Sequence, residues 1–388
     1  MGGLITEISS AKDELVRLRR ELHRFPELGF KEHNTAARVA GYMRALGIEV
    51  TEGVGGTGVI GLLRGTQPGP AIAIRACLDA LPVTEKTGLA YASENEGVMH
   101  ACGHDGNMVF ALGAAKILSG KKELICGNVK FIFQPSEEET GGAAQIIKAG
   151  GLESPAVDAI ITLHNWHGLR AGAFSVRHGP VLASSDVFKI LVTGVPGHGG
   201  WPHLAVDPVA AAAEVVLSLQ RIISREIDPL QPALISVGRI CGGTAVNIIP
   251  ETVEIDGTVR TYDPGVRDFI EKRITEISKS IAQAARAGCS IDYRRIMPPV
   301  SNDRELAKLT AEALVGAFGA DMMENDFSAG MGCEEFALFA ERIPGVFIFI
   351  GNGTDTPIHS PCYDFNDEII TAGVRALCEI ALKYCARC

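Results

Sequence analysis

The stretch Ala71-Ile72-Ala73-Ile74-Arg75-Ala76 decides the fold class, because it is an apolar run short enough to form a buried strand. Further runs of this kind lie at Gly58–Leu63, Val129–Phe133 and Ala159–Leu163, and a helix fits Asn107–Ser119. Strands that alternate with helices indicate crossover connections, which join parallel strands. The sequence therefore predicts an α/β fold with a mixed, largely parallel main sheet.

A different pattern begins near residue 183, where predicted strands and helices follow in the order βαββαβ. These elements are predicted at Asp186–Thr193, Asp207–Ser224, Ala233–Val237, Thr252–Thr261, 263–287 and Cys289–Tyr293. Such an order suits a small α+β sheet that is covered on one face by helices. We therefore expect a large domain of residues 1–182 and 296–388, interrupted by an inserted satellite domain of residues 183–295.

Composition excludes several classes of protein. The net charge of −10 would repel nucleic acid and anionic membranes. No apolar run approaches the ~20 residues that a membrane span requires, and no signal peptide is evident. The ten cysteines are scattered, without the regular pairing of a small secreted scaffold. These features predict a soluble, cytoplasmic protein with reduced cysteines and with neither nucleic acid nor membrane as a partner.

Cys102 and His104 form a Cys-x-His pair in a glycine-bounded loop just before the predicted helix Asn107–Ser119. Sulfur and imidazole on one loop suit zinc and other late transition metals. Taken alone, the pair is equally compatible with a buried thiol beside a hydrogen-bonded histidine. Asp105 follows directly and could orient a metal ligand.

Other predicted loops carry metal-binding residue types. The acidic run Glu137-Glu138-Glu139 follows the predicted strand Val129–Phe133, where ligands of α/β proteins commonly lie, although a solvated loop would also tolerate three carboxylates. His164 ends the strand Ala159–Leu163, and His359 lies in a loop near the C-terminus. Singly, each of these histidines fits a structural role. Together with the Cys-x-His pair, they favour a metal site.

Ordered motifs extend over nearly the whole chain. They are Leu22-His23-Arg24-Phe25-Pro26-Glu27-Leu28-Gly29-Phe30, Asp79-Ala80-Leu81-Pro82, Met99–Asp105, Phe133–Glu138, Leu163-His164, Gly197-His198, Gly243–Pro250, Gly257–Thr261, Glu334-Glu335-Phe336 and Phe365–Glu368. With these motifs the chain resembles the hippurate hydrolase and indole-acetyl-amino-acid hydrolase branch of the metal-dependent aminoacylase and carboxypeptidase family.

The resemblance implies a hydrolase that uses one or two divalent ions, with zinc, manganese, cobalt and nickel as candidates. The implied metal ligands are Cys102, His104, Glu138, His164 and His359. Glu137 would be the general base. In relatives, residues matching His198, Asn247 and Arg260 help to complete the partner subunit's site, where they hold the substrate carboxylate and the oxyanion.

The implied activity is hydrolysis of the amide bond of N-acyl amino acids, by a homodimer that associates through the satellite domain. A dipeptidase or carboxypeptidase of the same family is the alternative within this chemistry. A non-catalytic metal-binding protein on this fold is the alternative from another class, although such a protein would not need a free base at Glu137.

Three positions depart from the family pattern. At Glu335, in the motif Glu334-Glu335-Phe336, relatives often have Asp, so this change is conservative. Cys77 stands where relatives commonly have Asp and where the wider family often has a metal-binding His, so its thiolate could join the site or remain inert. Trp201 stands where relatives prefer small residues and Met, and it could reshape the edge of the pocket or the dimer contact.

Overall fold

The computed structural model describes residues 2–324, 326–328 and 330–386. The chain divides into two compact units. The large unit takes in the chain up to residue 179, residues 301–328 and the chain from residue 335 onwards, and the satellite unit consists of residues 180–300 and 329–334. The sequence placed the two boundaries at 182/183 and 295/296, and it placed residues 329–334 in the large domain.

The helices of the described residues are α1 (Gly2–Arg24), α2 (His33–Ala45), α3 (His104–Ser119), α4 (Gly142–Lys148), α5 (Pro208–Arg221), α6 (Pro264–Ala284), α7 (Arg304–Phe318), α8 (Phe336–Ala340) and α9 (Ile370–Cys385). The strands are β1 (Glu49–Val54), β2 (Gly58–Arg64), β3 (Gln67–Cys77), β4 (Cys126–Gln134), β5 (Ala159–Trp166), β6 (Phe174–Ser175), β7 (Gly179–Leu182), β8 (Ser185–Thr193), β9 (Gly197–His198), β10 (Ala233–Gly242), β11 (Ile248–Ile249), β12 (Thr252–Thr261), β13 (Gly288–Met297), β14 (Val300–Asn302) and β15 (Gly345–Gly351).

The main sheet of the large unit has the strand order β1-β2-β4-β3-β5-β15-β6. The four strands β4, β3, β5 and β15 run parallel, and antiparallel strands complete both edges. All seven residues of β15 are buried, as expected for a parallel strand that is covered on both faces. The predicted α/β fold with a mixed, largely parallel sheet is confirmed. Because the four parallel strands point the same way, their carboxyl ends meet at one edge.

Local contacts set the first turns of α2 and α3. Asn34 lies inside α2, where its backbone N–H and its Nδ2 both donate to Glu27 Oε1. α3 begins at His104 rather than at Asn107, because Gly103 adopts φ +77° and turns the chain into the helix without a side-chain cap.

The satellite unit contains the predicted βαββαβ order, with sheet order β10-β12-β8-β13 and antiparallel pairing throughout. Asp207 and Asp263 cap α5 and α6, each with a proline at the first helical position, which is a strong start signal. Both helices contribute buried residues to one core with the sheet, for example Val215 and Ile270. The sequence did not predict the short pair β9 and β11, which lies outside this sheet.

Cys126 is disulfide-bonded, so the expectation of reduced cysteines is wrong for this residue. Cys77 and Cys102 are free thiols. None of the helices in the described part of the chain has the length and apolar character that a membrane crossing needs.

Candidate metal centre

The candidate ligands lie where the parallel strands end. β4 leads into the loop that carries Glu137 and Glu138, and His164 is near the end of β5. His359 follows β15, and its backbone N–H donates to the Ala101 carbonyl at 2.8 Å, which joins its loop to the loop before α3. The fold therefore gathers residues from distant parts of the chain at one sheet edge.

Two triads of possible metal ligands share one thiol. Cys102, His104 and His164 offer ligand atoms that all lie within 4.8 Å of one another. Cys102 also forms such a group with Glu138 and His359. The structure thus brings together all five residues that the family resemblance implies. Of these five residues, Cys102 alone belongs to both triads.

The two buried imidazoles are oriented by backbone carbonyls. His104 Nδ1 donates to the Asp79 carbonyl at 2.9 Å, and His164 Nδ1 donates to the Asn165 carbonyl at 2.7 Å. His164 Nε2 lies 3.7 Å from Cys102 Sγ. When Nδ1 carries the proton, Nε2 offers a lone pair, which is the usual state of a metal-binding histidine.

The surroundings of His104 and Cys102 favour a positive charge at this position, as the shifts of their pKa values indicate. Burial opposes protonation of His104, but its hydrogen bond to Asp79 and the charges of Asp79 and Glu138 raise its pKa to about 9. Burial raises the pKa of the Cys102 thiol well above its usual range, and the charges of Glu138 and Glu137 raise it further. A cation beside these groups would reverse both effects, because it would favour the thiolate and the neutral imidazole.

Glu138 and His359 form the more open part of the cluster. Their closest atoms, Glu138 Oε1 and His359 Nε2, are 3.3 Å apart, and the His359 side chain is half exposed. The backbone N–H of Glu138 donates to Asp79 Oδ2 at 2.8 Å. The Oδ1 of the same carboxylate lies 3.5 Å from His104 Nδ1, so Asp79 contacts both His104 and the backbone of Glu138.

Glu137 is held by a residue whose role the sequence did not reveal. Its Oε1 accepts from the backbone N–H of Glu335 at 3.3 Å. The buried Glu335 carboxylate also accepts from Gln134 Nε2 at 2.7 Å, from the Ala143 N–H at 2.9 Å and from the Gly141 N–H. Glu335 therefore fixes both ends of the loop that carries Glu137. The sequence offered only the motif Glu334-Glu335-Phe336 as a signal.

Asn165 fixes the loop that carries Cys102. Its Nδ2 donates to the Cys102 carbonyl at 3.2 Å and to the Gly103 carbonyl at 3.1 Å, and its Oδ1 accepts from the Tyr363 hydroxyl. A Cβ on Gly103 would lie only 2.4 Å from Asn165 Nδ2, so this close contact requires glycine. No pattern in the sequence distinguished Asn165 from an ordinary strand-end residue.

Asp105 does not have the predicted role of orienting a candidate metal ligand. Its Oδ2 contacts His23 Nδ1 at 2.8 Å and Arg19 Nε at 2.9 Å, and all three side chains are fully buried. Burial opposes protonation of His23, but the hydrogen bond and charge of Asp105 raise its pKa to about 9. The carboxylate beside His104 is instead that of Asp79, whose Oδ1 lies 3.5 Å from His104 Nδ1.

Cys77 lies beside the cluster. Its sulfur, an Asp79 oxygen and a His104 nitrogen are all within 4.8 Å of one another, and all three residues are buried. His104 already uses Nδ1 to contact Asp79. Both interpretations of Cys77, as an additional ligand and as an inert thiol, remain compatible with this position.

In the satellite unit, His198 and Asn247 lie close together, whereas Arg260 lies elsewhere. His198 pairs with Ile248 across β9 and β11, and the Gly199 N–H donates to the Asn247 carbonyl at 2.8 Å, so His198 and Asn247 are neighbours. Arg260 lies near the other end of β12, eight residues from Thr252, which corresponds to about 27 Å along a strand. The satellite unit therefore does not bring Arg260 to His198.

Residues 73–383 match the sequence model of Peptidase family M20/M25/M40. The chain belongs to this family. An N-acetyl-L-cysteine deacetylase of Bacillus subtilis is 37% identical over 376 residues, which cover 97% of this chain and 89% of that protein. The hippurate hydrolase of Campylobacter jejuni is 37% identical over 384 residues, which cover 98% of this chain and 99% of that protein.

A crystal structure of a Bacillus subtilis protein described as a dinuclear metal-binding peptidase of the M20 family is 33% identical to this chain. It superimposes with a TM-score of 0.87 and covers 96% of this chain and 98% of that protein. The predicted resemblance is confirmed, and so is the prediction of a metal-dependent hydrolase. Family membership and the candidate ligands also support the use of a divalent metal.

Proposed function

We propose that this chain hydrolyses the amide bond of N-acyl amino acids to a carboxylic acid and a free amino acid. The observation that carries the proposal is the pair of ligand triads that share Cys102, with Glu137 beside them. The names of the deacetylase and hippurate hydrolase relatives describe action on N-acyl amino acids, which supports this substrate class.

The residues present fit a divalent metal. One thiol, three imidazoles and one carboxylate converge, and they are Cys102, His104, His164, His359 and Glu138. This mixture of sulfur, nitrogen and oxygen suits zinc, cobalt or nickel, and the carboxylate also suits manganese. One or two ions bound there would lower the pKa of a water molecule towards about 7 and would polarise the amide carbonyl.

Glu137 would move the protons of the reaction. The hydrogen bond from the Glu335 N–H keeps one carboxylate oxygen in place, while Glu138 and the other ligands occupy the metal side. Glu137 would accept a proton from the water that attacks the carbonyl carbon. It would then return that proton to the nitrogen that leaves with the amino acid.

Arg260 and His198 would act on the substrate from two subunits. In the described part of the chain, the Arg260 guanidinium forms no ion pair with a carboxylate, so it is available for the substrate carboxylate. His198 would donate a hydrogen bond to the oxyanion, and Asn247 beside it would contact the substrate. Since about 27 Å of strand β12 separates Arg260 from this pair, an N-acyl amino acid could contact both groups only if a second chain supplied one of them. This supports a homodimer that associates through the satellite unit.

A substrate screen tests the proposed activity. The protein would be loaded separately with Zn, Mn, Co or Ni and offered N-acetyl amino acids, N-benzoylglycine and simple dipeptides. We expect release of free amino acid from the N-acyl compounds. Turnover of dipeptides alone would identify a dipeptidase, and bound metal without turnover of any compound would identify a binding protein; either result would reject the proposal.

A further inference from the structure

The loop around His198 holds its backbone close to Asn247. A Cβ on Gly199 would lie 3.1–3.4 Å from the Asn247 backbone, so residue 199 permits the close crossing of the two segments because it has no side chain. The N–H of Gly199 donates across this crossing at 2.8 Å. The position of the His198 Cα is thereby fixed by the pairing of β9 with β11.

The imidazole is held through one nitrogen. The backbone N–H of Gly200 donates to His198 Nδ1 at 3.0 Å. A neutral imidazole carries one proton, so an Nδ1 that accepts a hydrogen bond leaves the proton on Nε2. A Cβ on Gly200 would lie 3.1 Å from Nδ1 and 3.2 Å from Cε1, so a side chain there would crowd the ring. The loop therefore selects the tautomer in which Nε2–H is the free donor.

The Trp201 indole packs against the same imidazole in a tilted arrangement. The two ring centroids are 4.8 Å apart and the planes are inclined by 33°. The backbone N–H of Trp201 donates to the His198 carbonyl at 2.8 Å, which closes a tight turn around the histidine. The Trp201 side chain is 59% exposed, so the satellite core gains little from it. Within the described part of the chain, the aromatic ring that Trp201 contacts is that of His198.

We propose that Trp201 is a positioning residue for His198. The indole limits the rotation of the imidazole while the Gly200 N–H fixes its tautomer, and together they direct Nε2–H towards the oxyanion. The effect of Trp201 on turnover rests on the proposed function, because it requires His198 to contact the substrate. The effect of Trp201 on the orientation of the imidazole does not depend on the proposed function.

A double-mutant cycle tests the effect on turnover. Trp201→Leu is expected to lower kcat about tenfold, with KM changed less than about twofold. The reason is that a misplaced hydrogen-bond donor weakens binding of the transition state more than binding of the substrate. Trp201→Phe keeps an aromatic ring at this position, so it should retain most of the wild-type kcat. Leu204→Ala, at a neighbouring residue that is 70% exposed, is the matched control and should leave kcat unchanged. In a His198→Ala background, Trp201→Leu should have no further effect.

Histidine ¹⁵N spectra provide a readout that does not depend on activity. In protein labelled with ¹⁵N-histidine, the His198 signals, assigned by their loss in His198→Ala, should report an unprotonated Nδ1 and a protonated Nε2. Trp201→Leu should shift them towards a mixture of tautomers, and Leu204→Ala should not. Full activity of His198→Ala would reject the proposed role of His198, and the spectra would still decide whether Trp201 positions the ring. Unchanged spectra in Trp201→Leu, or an equal loss of kcat with and without His198, would overturn the proposal.

Discussion

In the large unit, the candidate ligands Cys102, His104 and His164 are buried, with exposed fractions of 7%, 1% and 4%. Each has neighbours from other parts of the chain that fix its position. In the satellite unit, His198 and Asn247 lie on an exposed loop pair, where short-range contacts within that pair hold them. The two regions contain residues assigned to the same reaction, yet one is enclosed within its own chain and the other is open to solvent.

This difference indicates what each region can do without a partner. The five candidate ligands and the residues that support them all belong to the large unit, so the proposed metal site does not need a second chain. An exposed hydrogen-bond donor gains strength only when a neighbouring surface excludes water from it. We therefore expect metal binding to be a property of one chain and turnover to be a property of the dimer.

The largest effect should come from the proton carrier. Glu137→Gln keeps the shape of the side chain but removes the base, so kcat should fall by roughly 10²–10⁴-fold. Metal content should not change, because the ligands are intact. Steady-state kinetics and elemental analysis of the same sample would measure both. Glu139→Gln, at the exposed glutamate of the same run, is the control, and equal loss in that variant would contradict the assignment.

Removing a supporting contact in the buried region should weaken metal binding. Asp79→Asn alters the carboxylate that contacts both His104 and the Glu138 N–H, so metal affinity should fall by roughly 10–100-fold. Competition with a chelator would measure the affinity. Asp158→Asn makes the same change at a carboxylate that accepts from the Ala71 N–H, in the middle of β3, and it should leave affinity unchanged. Equal affinity in both variants would count against the role of Asp79.

Mixing two inactive variants tests whether the exposed region acts on a partner. In dimers of Glu137→Ala and His198→Ala chains, one of the two sites would combine an intact Glu137 with an intact His198. Random exchange makes half of the dimers mixed, so activity should recover to about a quarter of that of the wild type. Subunit exchange would be followed with two differently tagged chains. Exchange without any recovery would show that both residues serve a site within one chain.

The smallest expected effect is on the stability of the folded chain, and it concerns the buried His23. The pKa of His23 is raised to about 9, so its charged contacts stabilise the folded chain fully below its ordinary pKa near 6.5. This contribution is lost as the pH rises through about 9. His23→Gln should therefore lower the free energy of unfolding by roughly 1–3 kcal/mol at pH 6, and the loss should shrink by pH 10. Urea unfolding at the two pH values, with exposed His33→Gln as control, would measure it; a loss that grew with pH would contradict the sign.

The sequence predicted those parts of the fold in which local pattern and final position agree. The predicted strand Ala71–Ala76 is the buried part of β3, and the helix predicted from residue 263 is α6, which Asp263 caps. β1 was missed because it is an exposed edge strand, and its sequence, Glu49–Val54, lacks regular alternation. Edge strands gain their order from one neighbour, so their own pattern is weak.

The candidate site shows the same limit. Cys102 and His104 could be selected because few residue types bind metals, and strand ends predicted where Glu138 and His164 would lie. The residues that hold them could not be selected, because Asn165 and Glu335 act through contacts with segments distant in the chain. Such residues have ordinary polar side chains, and their role depends on the tertiary fold alone.

The shared thiol is the central claim, and metal content tests it most directly. Cys102 belongs to both ligand triads, whereas His164 and His359 each belong to one. Elemental analysis after dialysis against a fixed free metal concentration should show that Cys102→Ala loses more bound metal than either His164→Ala or His359→Ala. If Cys102→Ala retained as much metal as the wild type, the thiol would not be a ligand and the account of this site would be wrong.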